Sequence, residues 1–295
     1  MNPRLQLTLG PVQYYWPRDT LEAFYEAAAQ WPVRTIYLGE TVCSKRRQFR
    51  LDDWLATARR LADAGKEVVL STLALIEAES ELKTLRRLCD NGEFLVEAND
   101  MAAVYRLSRA GQPFVAGPTL NLYHPDALAV LARAGARRWV VPVELGREAL
   151  AAMADALPEG IETELFAWGR LPLAYSARCY TARAHGLPKD DCQYRCLDHP
   201  DGLVLRTHEG APFLAANGIQ TQSALTHDLL PELESLAGLP VDLLRISPQW
   251  RGTDQVVAAF HAALAEGAPP ADLARLAPSG TCNGYWHGKA GLQRL

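Results

Sequence analysis

The sequence has no apolar run approaching the ~18 residues that a membrane-spanning helix needs. Its start, MNPRLQLTLGPVQYYW, lacks the basic stretch and long apolar core of a secretory leader, and it reads instead as a first strand. Charge is nearly balanced, with a formal net charge of −4, so there is no basic excess to suggest a nucleic-acid or bilayer partner. Six cysteines in 295 residues are too few for a disulfide scaffold. A reducing, cytoplasmic location is expected, where clustered thiols more often bind metal or do redox chemistry than form bridges. Repeats at solenoid periods are absent. So are a Gly-x-Ser-x-Gly elbow, a Walker loop, a zinc-protease helix and a dinucleotide fingerprint.

Apolar residues are plentiful, at 48% of the chain, enough for a large core. They fall in short runs at Leu5–Leu9, Arg34–Leu38, Glu67–Leu70, Glu93–Glu97, Pro113–Ala116, Trp139–Val143, Ile161–Trp168 and Val241–Ile246. Amphipathic stretches lie between and after them, at Thr20–Gln30, Asp52–Ala64, Glu77–Cys89, Asp100–Ala110, Pro125–Ala134, Gly146–Leu157 and Thr253–Glu266. Asp19 and Asp100 stand where helix caps belong. Strands alternating with helices imply parallel βαβ units. Eight of them predict an α/β fold, a (β/α)8 TIM-barrel-like domain that allows for distortion, with a doubly wound open sheet as the alternative. One domain is expected over residues 1–295. Residues 171–226 break the alternation and read as an insertion after strand seven. It contains a hairpin, Leu203–Thr207 with Pro212–Ala216, turning through Glu209-Gly210.

The insertion holds three cysteines. Cys192 and Cys196 would share one face if their segment were helical, and Cys179 lies thirteen residues before Cys192. Cys43, Cys89 and Cys282 are the candidates for a fourth ligand. Cys43 follows strand two, on the rim where strand seven also ends, and barrel proteins place their sites on that rim. Cys89 ends a helix on the opposite rim and reads as a small buried hydrophobe. Cys282 sits in a Gly-rich tail and stays in reserve. Four thiolates would suit zinc or an iron–sulfur cluster, with separate reduced thiols as the plainer reading. Lys45, Arg46, Arg47, Arg178 and Arg195 crowd these cysteines and would lower their pKa values. Glu40, Glu97, Asn99, Thr119, Asn121, Glu144, Arg170 and Ser247 end strands on the same rim and form a candidate ligand pocket, although strand-ending polar residues need no function. His185, His199 and His208 read as surface histidines, and Trp16 and Trp168 as core.

At these residues the sequence resembles the peptidase U32 family, and within it the branch serving oxygen-independent ubiquinone biosynthesis. The likeness rests on Leu38-Gly-Glu-Thr-Val-Cys-Ser-Lys-Arg-Arg47 and on Gly169-Arg-Leu-Pro-Leu-Ala-Tyr-Ser-Ala-Arg-Cys-Tyr-Thr-Ala-Arg183. It continues through Cys192-x3-Cys196 and Cys282-Asn-Gly-Tyr-Trp-His287, and it runs over essentially the whole chain. The resemblance implies a [4Fe–4S] cluster on Cys43, Cys179, Cys192 and Cys196. It implies a heterodimer with a related protein, UbiU, and a pathway partner, UbiT. It also implies O2-independent hydroxylation of a ubiquinone precursor, with prephenate as hydroxyl donor. Peptidase activity is not expected on this reading. RNA-base hydroxylation, known among relatives, and peptide hydrolysis, the family's name, are the alternatives.

Overall fold

The computed structural model describes residues 5–295, so residues 1–4 of the expected domain 1–295 lie outside it. Eight strands close a parallel barrel. They are β1 (Gln6–Leu9), β2 (Thr35–Leu38), β3 (Glu67–Ser71), β4 (Leu95–Ala98), β5 (Phe114–Ala116), β6 (Ala136–Val140), the first part of β7 (Glu162–Tyr175), and, after three strands introduced below, β11 (Leu243–Ile246). Each pairs in parallel with the next, and β11 closes the ring by pairing with both β7 and β1. Strands buried on both faces read as unbroken apolar runs, which is why they were visible in the sequence. Around them lie α1 (Arg18–Ala28), α2 (Leu51–Asp63), α3 (Glu79–Cys89), α4 (Met101–Arg109), α5 (Pro125–Arg133), α6 (Arg147–Met153), a short α7 (Tyr180–Ala184) and α8 (Thr253–Ala265).

Two local expectations need correction. Asp19 lies in the first turn of α1, whose cap position is Pro17, whereas Asp100 does cap α4 by accepting from Ala102 N at 2.7 Å. β6 begins at Ala136 rather than Trp139. The Arg137-Arg138 pair looks like a polar strand end, but Arg138 turns into the barrel and is buried there.

Its burial is possible because the barrel interior carries charge. Arg138 pairs with Glu67 at 2.8 Å and Glu162 at 2.7 Å. One layer higher, Arg245 pairs with Glu97 and Glu164, each at 2.8 Å, and its guanidinium lies 4.1 Å from the centre of the Tyr37 ring. Tyr37 links the layers, donating to Glu164 and accepting from Arg138 at 3.0 Å. Buried ions need such partners, since each one alone would cost several kcal/mol. The aliphatic share of this interior, Val69, Val115 and Val140, packs around Tyr37.

β7 runs on past the barrel. At Gly169 (φ 132°) it passes so close to β11 that a Cβ would meet Ser247 Cβ at 2.5 Å. Beyond it, β7 pairs antiparallel with β10 (Gln220–Asp228). The expected hairpin is β8 (Leu203–Arg206) against β9 (Pro212–Asn217), and β9 turns at Gly218 into β10. A two-residue strand, β12 (Thr281–Cys282), adds to β10 from the C-terminal tail. These antiparallel strands form an arm standing on the C-terminal rim of the barrel.

Candidate functional site

The arm brings the four cysteines together. Cys43, Cys179, Cys192 and Cys196 line one small chamber of about 20 Å³, with Lys45, Arg46 and Tyr194 among its walls. The loop after β2 is tied to the arm by Arg46, which donates to Gln13 O and to Asn217 Oδ1, each at 2.7 Å. Lys45 adds contacts to Lys189 O at 2.8 Å and Asp190 at 3.1 Å. The segment between Cys192 and Cys196 is not one helix. Gln193 and Tyr194 take left-handed backbone conformations (φ 48° and 53°), so the chain reverses between the two thiols.

Among the described residues, no group of three or more His, Cys, Asp or Glu side chains is arranged to hold a metal ion. On that finding the expected [4Fe–4S] cluster is overturned. The iron–sulfur, metal-binding and hydroxylase readings go with it. The expected lowering of thiol pKa values is corrected at Cys43 and Cys196. Burial pushes Cys43 up to about 11 and raises Cys196, outweighing the opposing pull of Arg46 on both. Cys89 is buried in the main core, and Cys282 packs against Phe166 and Leu171. Burial pushes both thiols up to about 12.

The candidate pocket residues divide among four places. Asn121 and Glu144 line a cavity of about 260 Å³ over the C-terminal ends of β3, β5 and β6, walled on one side by the outer part of β7. Thr119, Tyr123 and Tyr175 supply its other polar groups, and Leu75, Val143, Leu173 and prolines its apolar ones. Tyr123 Oη donates to Glu144 at 2.8 Å. Burial and then that carboxylate raise the phenol's pKa, so the proton stays on Tyr123. Asn121 holds a left-handed conformation (φ 55°), which asparagine tolerates better than most residues. Tyr123 and Tyr175 were not singled out in the sequence, because nothing local marks a tyrosine as facing a cavity.

Glu97 lies inside β4 and below this cavity, on Arg245. Asn99 is buried, donating to Thr72 O at 3.0 Å and Glu97 at 3.1 Å. Arg170 lines a separate chamber of about 30 Å³ with Tyr14, Asp201 and Ser247, and donates to Asp201 O. Glu40 accepts from the N–H groups of Val42 (2.9 Å) and Cys43 (3.0 Å), shaping the cysteine-bearing loop. His185 and His199 face each other on the surface with Nε2 atoms 2.9 Å apart. Trp16 and Trp168 are core residues with their indole N–H groups satisfied by Pro200 O and Gln249.

The family model described as Peptidase family U32 matches residues 19–267. The chain belongs to the U32 peptidase family. Among solved structures, the U32 peptidase Mk0906 is 13% identical, with a TM-score of 0.47 over 83% of this chain and 93% of its own. A 4-hydroxy-2-oxoglutarate/2-dehydro-3-deoxyphosphogluconate aldolase from TTHB1 is 12% identical, with a TM-score of 0.41 over 89% and 95%. Dihydropteroate synthase from Thermus thermophilus is 13% identical, with a TM-score of 0.40 over 89% and 96%. Membership of U32 corrects the expectation of no peptidase activity. Among the described residues, no helix is long and apolar enough to cross a membrane.

Proposed function

We propose that this U32 protein binds a hydroxylated aromatic ring in the cavity at the mouth of its barrel. The supporting observation is that cavity's make-up. It is ring-sized, apolar along Leu75, Val143 and Leu173, and carries hydrogen-bonding groups at Asn121, Tyr123 and Glu144. Small-molecule sites combine apolar walls with a few such polar groups, and barrel enzymes place them on this rim. Within the family, the motifs around Cys43, Cys179 and Cys282 favour the UbiV branch, with UbiU as heterodimeric partner, UbiT in the same pathway and a cytoplasmic location. Of the two small molecules that the branch implies, the ubiquinone precursor suits the cavity better. Prephenate is a dianion, and among the described residues no lysine or arginine lines this cavity.

Equilibrium dialysis with a 2-prenylphenol, on the chain alone and co-purified with UbiU, tests the proposal. Saturable binding that weakens about tenfold in Asn121→Ala is expected, the scale of one lost hydrogen bond to a bound ligand. Absence of saturable binding in both preparations would overturn it.

A second reading, peptide hydrolysis, is favoured by membership of the U32 family. Glu144 is the one carboxylate among the described residues lining the cavity and would be the general base.

A further inference from the structure

The tail motif Cys282-Asn-Gly-Tyr-Trp-His287 packs beside the mouth. Cys282 and Tyr285 share one apolar cluster with Phe166, Leu171, Val143 and Leu173, and the last two line the mouth cavity. The tail backbone also meets the loop that carries Glu144. Gly146, two residues after Glu144, caps α6, and a Cβ there would stand 2.4 Å from Tyr285 O and 3.1 Å from Trp286 O. Gly146 has φ −77°, which any residue adopts, so the closeness of the tail, not backbone strain, calls for glycine. The tail is anchored on its far side. Trp286 is buried and its indole N–H donates to Ser235 Oγ at 2.9 Å, while Asn283 donates to Glu232 at 3.0 Å. The N–H groups of Asn283 and Gly284 both donate to Gln293 O at 2.9 Å, closing the segment on itself. Gly291 lies against the Tyr285 ring, where a Cβ would stand 2.5 Å from Cε2 and Cζ.

We propose that the tail positions Glu144: Tyr285 and Trp286 brace the loop at Gly146 so that the carboxylate stays aimed at a hydroxyl of the ring held in the mouth. The proposal rests on the ring-binding reading of the cavity. Two constraints act on Glu144. Tyr123 holds its carboxylate from the neighbouring loop through the 2.8 Å hydrogen bond, and the tail fixes the backbone two residues on. The Tyr285 phenol also feels that carboxylate, since burial raises its pKa and the charge of Glu144 raises it further. An acceptor that reads one hydroxyl must be held to within about 0.5 Å, and an exposed glutamate on a loop needs support to meet that demand. Tyr285 and Trp286 are positioning residues, acting on the ligand through Glu144.

The test compares 2-prenylphenol with 2-prenylanisole, its methyl ether, which lacks the hydroxyl proton that Glu144 accepts. Wild-type protein is expected to bind the phenol about tenfold more tightly or better, the scale of one hydrogen bond to a charged group. Gly146→Ala, which forces the loop off the tail, is expected to bring the two within about twofold while leaving affinity for the ether unchanged. A purely structural tail would lower stability in that variant and leave the preference as it was. Amide exchange on wild-type protein decides the matter if Gly146→Ala does not fold. The phenol is expected to slow exchange in Gly284–His287 together with Arg147–Met153, and to do so more than the ether. Equal binding of both compounds to wild type, an unchanged preference in Gly146→Ala, or tail exchange that the two compounds affect equally would overturn the proposal while leaving the ring-binding reading intact. Binding of neither compound would overturn both.

Discussion

Tyr123 and Glu144 come from loops after neighbouring barrel strands, β5 and β6, and meet through a 2.8 Å hydrogen bond at the edge of the mouth cavity. Both side chains reach solvent, Tyr123 with somewhat under half of its surface, so their pairing adds little to stability, and their chemistry can be altered without disturbing the fold. Tyr123→Phe is expected to leave the midpoint of urea unfolding unchanged. Glu144→Gln, which removes the charge, is expected to weaken binding of a prenylphenol by about 10–100-fold, the scale of a lost charge-assisted hydrogen bond. Calorimetric titration of both variants checks this.

The same substitution separates the two readings of function. If the mouth hydrolyses peptides, Glu144→Gln removes the general base and turnover of a fluorogenic peptide library falls by about 10²–10⁴-fold. Cleavage that survives the substitution would exclude Glu144 from that role.

His227 carries the clearest pH signature. Burial, assisted by the positive charge of Arg294, holds its pKa down at about 3, against an ordinary value of 6.5. The unfolded chain therefore binds a proton that the folded chain refuses. Stability falls as pH drops below 6.5, by about 2 kcal/mol at pH 5. His227→Gln is expected to flatten that dependence between pH 7 and pH 5 in urea titrations, whatever its cost at pH 7. A separate loss is expected at lower pH from Glu164. Its own burial would raise its pKa, but Arg245 and then Arg138 bring it below the ordinary carboxylate value of 4.5, so its contribution disappears as pH falls through that lowered value.

Arg46 and Asn217 hold the arm to the barrel. Asn217→Ala removes the Oδ1 acceptor at 2.7 Å and leaves a buried guanidinium nitrogen short of a partner. A loss of about 1–3 kcal/mol is expected in denaturant unfolding. Faster hydrogen exchange in β9 and β10, with β2 and β3 unchanged, is expected with it. Uniform acceleration across the barrel would contradict the assignment of this contact to the arm.

The barrel was legible in the sequence because strands such as Thr35–Leu38 and Phe114–Ala116 are buried on both faces and carry that fact in their own composition. The displaced start of β6 was not legible. Arg138 is tolerable inside the barrel only because Glu67 and Glu162 stand beside it, and they come from elsewhere in the chain. The meeting of Cys43 with the three arm cysteines followed from topology, because both loops leave the same rim. Their disposition did not follow, because the reversal at Gln193 and Tyr194 depends on two left-handed residues that do not advertise themselves as glycine would. Asn121 and Glu144 were recognisable as rim residues. Their separation from Glu97, Asn99 and Arg170 into different chambers depends on side-chain direction, which position along a strand end leaves open.

The claim that the mouth holds an aromatic ring is tested most directly by filling the mouth. Leu173 lines the cavity from the outer part of β7 and is only partly buried, packed against the Phe166, Leu171 and Cys282 cluster, so an arginine there blocks the space at some cost in packing. Titration of 2-prenylphenol into wild type and Leu173→Arg, matched for thermal stability, is expected to give saturable one-to-one binding in the first and none in the second. Equal binding to both proteins would contradict the account.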